Sequence, residues 1–314
     1  MNKKGLVISV GGSKGAYAGG ILEYYIRNGV SYDNLYGSSI GALIIPFIAA
    51  NNYNSLKKIF SEINMKDIFT NNPFKIKEQK NGMFKYSINY WNVFKNIVIY
   101  RQSSLGDTTV LREKTIPRFF TEDNYTKILN SGKTIKIAVT NVSTGELEIK
   151  HMNDFSYDKY LDFLWASSCA PPFMSLPEID SCHYSDGGIL SQVPIKQAIL
   201  DGCSEIDVIV LDKKEGNWVI EHIRNTFHFM LKTMLMMMTR LKDYQIDPSY
   251  LAYHATKKIK VNIHYVERRL TNNALIFDNE LMLKWWEEGY EYAENQNNID
   301  RYLIDGKKNN YTKL

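Results

Sequence analysis

Cysteine is scarce in this 314-residue chain, which has only Cys169, Cys182 and Cys203. An odd count with no CxxC pair excludes a disulfide framework and a cysteine-built metal centre, and reads as buried thiols in a reducing compartment. Long apolar runs are missing too. The oiliest stretches, residues 42–50 and 227–238, fall short of the roughly 18–20 apolar residues a spanning helix needs, and His228 and Lys232 interrupt the second. The apolar stretch at residues 5–10, after Lys3 and Lys4, is too short for a signal-peptide core and has no cleavage site. These absences predict a cytoplasmic chain whose membrane contact, where it occurs, is peripheral. Charge of one sign does not dominate: the net charge of +4 gives no reason to expect nucleic acid as a partner. Repeats, linkers and low-complexity blocks are lacking, so one domain over 1–314 is the simplest reading.

What is present builds a core. Hydrophobic residues make up 44% of the chain and charged residues 23%, ordinary values for a globular protein. Residues 5–10 (GLVISV) read as a buried strand. A glycine cluster follows, then a helix over 16–27, a strand over 32–37 ending at Ser38–Ser39, and an apolar helix over 40–50. That order opens an α/β fold with parallel strands. Residues 55–130 are aromatic and irregular and read as helical excursions forming a cap or lid. Strands are predicted over 134–142, 146–152, 206–212 and 259–266. Helices are predicted over 193–200, opened by Pro194, and over 217–245 and 279–303.

Three motifs carry chemistry. Gly37-Ser38-Ser39-Ile40-Gly41 is a G-x-S-x-G at a strand-to-helix junction. Such a turn leaves no room for side chains two residues before and after the serine, and it aims the hydroxyl at the free amides of a helix N-terminus. The loop Val10-Gly11-Gly12-Ser13-Lys14-Gly15 can point backbone amides into one anion hole. Val10 breaks the dinucleotide-binding G-x-G-x-x-G spacing. Lys127 occupies the upstream position that a P-loop ending at Lys133-Thr134 reserves for glycine. Both nucleotide readings are therefore set aside. Asp186-Gly187-Gly188, taken alone, is an ordinary turn.

Together, and in this order, the three motifs resemble the patatin-like phospholipases. The likeness extends to residues 105–111, to Ala166-Ser167-Ser168 with Pro171, Pro172, Phe173 and Pro177, to Pro194 and Ala198, and to Gly289-Tyr290. The resemblance implies a three-layer α/β/α fold with a mostly parallel central sheet and a helical cap insertion. It implies Ser39 as nucleophile, Asp186 as general base, Gly11 and Gly12 as oxyanion-hole amides, and Lys14 as the basic residue of the loop. Ser13, Gly15, Gly37, Gly41, Gly187 and Gly188 support those positions. The implied substrate is a phospholipid or other acyl lipid, and the implied acyl transfer needs no metal or cofactor. Two residues depart from the pattern: Val10 replaces the loop's first glycine, and Gln192 stands where asparagine is usual.

Two other readings stay open at this point. One is an α/β-hydrolase triad of Ser39, Asp186 or Asp207, and His254 or His264, drawn from histidines at 151, 183, 222, 228, 254 and 264. The other is a lipid-binding protein without turnover. Lys14 suits either a phospholipid phosphate or solvent. The methionines 230, 234, 236, 237 and 238 read as a core-facing stripe before a pliable acyl-chain wall or an interfacial face. Trp285, Trp286 and Tyr290 read as packing on the main domain.

Overall fold

A computed structural model describes residues 2–214, 223, 225–295 and 299–314. Strand β1 (Lys3–Ile8) is buried from Gly5 onward, as a strand covered on both faces must be. Leu6 and Ile8 enter one apolar cluster and Val7 enters the other, so the sheet separates two helical layers. Helix α1 (Gly15–Arg27), β2 (Asn34–Ser38), α2 (Ile40–Ala49), α3 (Tyr53–Glu62) and α4 (Met65–Ile68) follow. A hairpin of β3 (Phe74–Lys80) and β4 (Met83–Ile88) leads into α5 (Tyr90–Phe94), which continues as a π-helical turn over Lys95–Ile99. Next come α6 (Ile116–Phe119), α7 (Glu122–Leu129), β5 (Thr134–Asn141), β6 (Glu146–His151), α8 (Tyr157–Ser168), β7 (Glu178–Ile179) and β8 (Cys182–Asp186). The chain closes with α9 (Ile195–Leu200), β9 (Cys203–Val210), α10 (Thr226–Gln245), α11 (Pro248–His254), β10 (Lys258–Tyr265), α12 (Asn279–Asn295), β11 (Ile299–Asp305) and β12 (Asn310–Lys313).

The main sheet runs β12-β11-β10-β9-β1-β2-β5-β8-β7, with β6 also on β5. Its centre, from β10 to β5, is parallel, and antiparallel strands close both sides. The expected three-layer, mostly parallel architecture is therefore present. β1 lies between β2 and β9, so successive crossovers leave it in opposite directions. The crevice at the carboxyl ends of such strands is where α/β sheets hold ligands.

One detail of register sets up the site. β6 pairs β5 from Lys136 to Asn141 along one edge. The other edge is shared end to end: β2 pairs up to Ser38↔Ala138, and from Val139 onward β5 pairs with β8, whose last residue gives Asp186↔Val139. Two strands far apart in sequence thus terminate against consecutive residues of a third.

Helix α12 braces the layer over α1 and α3. Trp285 and Trp286 are fully buried. Trp286 Nε1 donates to Glu23 Oε2 at 2.6 Å, and Arg27 and Lys57 meet the same carboxylate at 2.6 and 3.3 Å. Truncating a core aromatic of this kind costs about 3–5 kcal/mol.

Several expectations need correction. The last helix ends at Asn295, and Ile299–Asp305 is a strand paired with β10 and β12, not a continuation to 303. Of the helix expected over 217–245, Thr226–Gln245 is observed, while 217–222 and 224 lie outside the described residues, His222 among them. Residues 55–130 are not wholly helical, since β3 and β4 pair within them. The methionine stripe is not core: Met230, Met236 and Met237 are exposed, and only Lys242 and Gln245 of α10 are buried.

Candidate active site

Ser39 joins β2 to α2 with φ 56° and ψ −124°. Positive φ is uncommon for a residue with a side chain and costs on the order of 1–3 kcal/mol, so its surroundings must hold it. Its N–H donates to Ser167 Oγ at 3.1 Å, and its carbonyl accepts from Ala42 N at 2.9 Å. The flanking glycines are sterically required. A Cβ on Gly37 would lie 2.4 Å from Gly41 C, and one on Gly41 would lie 2.4 Å from Ile8 O. The hydroxyl stands at the start of α2, where helix amides favour negative charge.

Asp186 ends β8 opposite that turn. Its Oδ2 accepts the Ser39 hydroxyl at 2.6 Å, and its Oδ1 accepts Gly188 N–H at 2.7 Å. Both side chains are buried. Burial pushes the Asp186 carboxyl up to about 6, against the opposing pull of the Ser39 and Gly188 hydrogen bonds. The strand end is fixed by Asp186 N donating to Cys169 O at 3.0 Å and Thr140 Oγ1 donating to Asp186 O at 2.9 Å.

The glycine loop leaves β1 beside both groups. Val10 N–H donates to Gln192 O, Ser13 N–H to Ala274 O and Lys14 N–H to Gly11 O. The amides of Gly11 and Gly12 have no such partner among the described residues. Gly12 has φ +55°, and a Cβ there would lie 2.2 Å from Ala274 O. Ser13 is buried and its hydroxyl is unpartnered among the described residues. Gly15 packs its Cα against Ile40, and Gly187 against Ala138.

Sequence reasoning missed two supporting residues. Ser167 bridges Ser39 N and, at 2.7 Å, Ala138 O; its only signal was a place in a family-like Ala-Ser-Ser stretch. Gln192, read as a departure, spans the two loops: its side chain donates to Gly188 O while its carbonyl accepts Val10 N–H.

Gly11, Gly12, Lys14, Ser39 and Asp186 line one apolar cavity of about 760 Å³. Its walls come from α2 (Leu43, Phe47), α3 (Ile59, Phe60) and α10 (Met234, Met238). Besides Asp186, its charged lining residues are Lys14, Asp212 and Lys242. Lys242 Nζ lies 3.4 Å from Asp212 Oδ2. Burial pushes the Lys14 ammonium below its usual range, Lys242 and Arg269 push the same way, and Asp212 opposes them. No histidine among the described residues lines the cavity. No helix among them is long and apolar enough to cross a membrane.

No curated protein sequence matches the chain. The crystal structure of VipD from Legionella pneumophila aligns with a TM-score of 0.42 at 12% identity, covering 96% of this chain and 68% of that one. The patatin-like phospholipase family model matches residues 6–199, a span that holds the glycine loop, the serine turn and the Asp-Gly-Gly turn and exceeds half of the 314 residues. On that match the chain belongs to the patatin-like phospholipase family and is a lipid acyl hydrolase.

Proposed function

We propose that this protein cleaves carboxylic esters of phospholipids or lysophospholipids through an acyl-enzyme on Ser39, with Asp186 as its general base. The observation that carries this reading is the 2.6 Å hydrogen bond from Ser39 Oγ to Asp186 Oδ2 on the wall of an apolar cavity. Ser39 Oγ attacks the ester carbonyl carbon as its proton passes to Asp186. The oxyanion is met by the amides of Gly11 and Gly12. Collapse expels the alcohol, which takes the proton from Asp186. Water then attacks the acyl-enzyme, giving its proton to Asp186 and releasing the fatty acid as Ser39 regains its hydrogen. A carboxyl raised to about 6 is a better proton acceptor than a solvated aspartate and is still ionised at neutral pH.

The acyl chain lies along α2 and the Met234–Met238 face of α10, where flexible thioethers adapt to its shape. Lys14 and Lys242 face the phosphate. The segment between α3 and β5 serves as the cap of the single domain. Against the triad alternative, His264 is buried on β10 with its ring 5.5 Å from Tyr25, and His254 meets Tyr250 edge-on at 4.5 Å, neither among the residues that line the cavity.

Lipid profiling tests the proposal. Wild type is expected to release fatty acid from phospholipid and to label with a fluorophosphonate, and Ser39→Ala to do neither. A folded wild type that resists the probe would leave only the lipid-binding reading.

A further inference from the structure

The segment from Tyr90 to Tyr100 is amphipathic in the inverted sense. A helix on a protein surface ordinarily buries its apolar stripe and exposes its polar one. Here the inward face is asparagine. Asn71 Nδ2 donates to Asn92 O at 2.8 Å and to Asn96 Oδ1 at 3.2 Å. Asn92 Nδ2 donates to Asn72 O, and the fully buried Asn96 donates to Ser104 O, each at 2.9 Å. The outward face is Tyr90, Trp91, Phe94, Val98, Ile99 and Tyr100, between 47% and 79% exposed. A polar network thus holds an apolar surface out to solvent, and a contiguous exposed patch of this kind marks a binding surface.

The chemistry of the patch selects its occupant. Between Glu78 and Asp107 the chain has no acidic residue, but it has Lys80, Lys85, Lys95 and Arg101. Trp91 stacks on Phe94 at 5.9 Å, and the Lys95 ammonium sits 5.3 Å over the Trp91 ring. Tyrosine and tryptophan at the ends, aliphatic residues between them and cations alongside suit the boundary of an anionic bilayer. The patch also adjoins the cavity. Asn89 N–H donates to Pro73 O, and the ring of the next residue, Phe74, lies 5.1 Å from Phe173 and 5.8 Å from Tyr86, which both line the cavity. We propose that residues 90–100 dock this protein onto anionic phospholipid bilayers, bringing the cavity to the lipid surface.

The test uses the full chain and vesicles of phosphatidylcholine with or without phosphatidylglycerol. Wild type and Ser39→Ala are both expected to co-sediment with the anionic vesicles, which separates docking from hydrolysis. The triple variant Trp91→Ser/Phe94→Ser/Val98→Ser is expected to partition at least about tenfold more weakly with an unchanged unfolding midpoint. Should the triple variant not fold, brominated lipid still reports: it quenches wild-type tryptophan fluorescence and leaves Trp91→Phe unquenched. Wild type that binds neither vesicle, or a folded triple variant that binds like wild type, overturns the proposal. So does a wild-type dimer that the triple variant converts to monomer with vesicle binding unaltered, since the face is then a contact between copies of this chain.

Discussion

The hydroxyl of Ser167 accepts the backbone N–H of Ser39 at 3.1 Å and donates to Ala138 O at 2.7 Å, tying a positive-φ residue to the neighbouring strand. Ser167→Ala leaves two buried backbone groups unpaired and frees the turn. Stability is expected to fall by about 1–3 kcal/mol. Displacement of a reacting group costs catalysis steeply, so kcat is expected to drop about 10- to 100-fold with KM nearly unchanged. A loss confined to the melting temperature, with kcat intact, would make Ser167 a packing residue only.

Asp186 accepts a proton only when ionised. Its carboxyl is raised by burial to about 6, so kcat/KM is expected to climb tenfold per pH unit below that value and level off above it. The same shift has a stability consequence. The folded state binds this proton more tightly than the unfolded chain, so its contribution is largest at low pH and is lost as pH rises through about 6. Asp186→Asn is therefore expected to lose activity about a thousandfold or more yet to melt higher than wild type at pH 8. That advantage should shrink below pH 5. Melting curves at both pH values check the sign.

His254→Ala and His264→Ala are expected to retain their activity per folded molecule, because neither ring reaches the cavity. His264 is buried, and burial holds it down to about 4. Its replacement is expected to cost about 1–3 kcal/mol of stability without changing the pH profile. A tenfold loss of kcat in either variant, at full folding, would restore the triad.

Met234 and Met238 face the cavity one helical turn apart. Filling that wall with Met238→Trp is expected to exclude about two methylenes of a long acyl chain. That corresponds to roughly 1.5 kcal/mol, or about a tenfold fall in kcat/KM for long esters relative to short ones. Rates on a series of ester chain lengths give the ratio directly.

The opening of the fold was legible because each early element has one dominant signal. Residues 5–10 can only be a covered strand, and Gly37 and Gly41 mark a turn that no other residue fits. Both motif loops were therefore legible, whereas the pairing of Ser39 with Asp186 was expected only from the family resemblance, since Asp186-Gly187-Gly188 alone reads as an ordinary turn. The hairpin of β3 and β4 was overlooked although Phe74 and Ile76, and then Phe84, Tyr86 and Ile88, alternate with polar residues, because the alternation is short and the lysine-rich strands bury little. The end of α12 was misplaced because Ile299, Tyr302 and Ile304 suit either an amphipathic helix or a strand, and only pairing with β10 decides. Ser167 and Gln192 were unreadable as supports, since Ser39 and Val10, which they hold, each lie more than a hundred positions away.

Ser38 and Asp186 end their strands against consecutive residues of β5, although Ser39 and Asp186 are 147 positions apart. During synthesis the hydroxyl therefore leaves the ribosome long before the carboxylate to which it donates. On the proposed mechanism, a nascent or truncated chain that stops short of β8 carries an unactivated alcohol. On that reading, the capacity to cut an ester waits for the late strand to dock on β5.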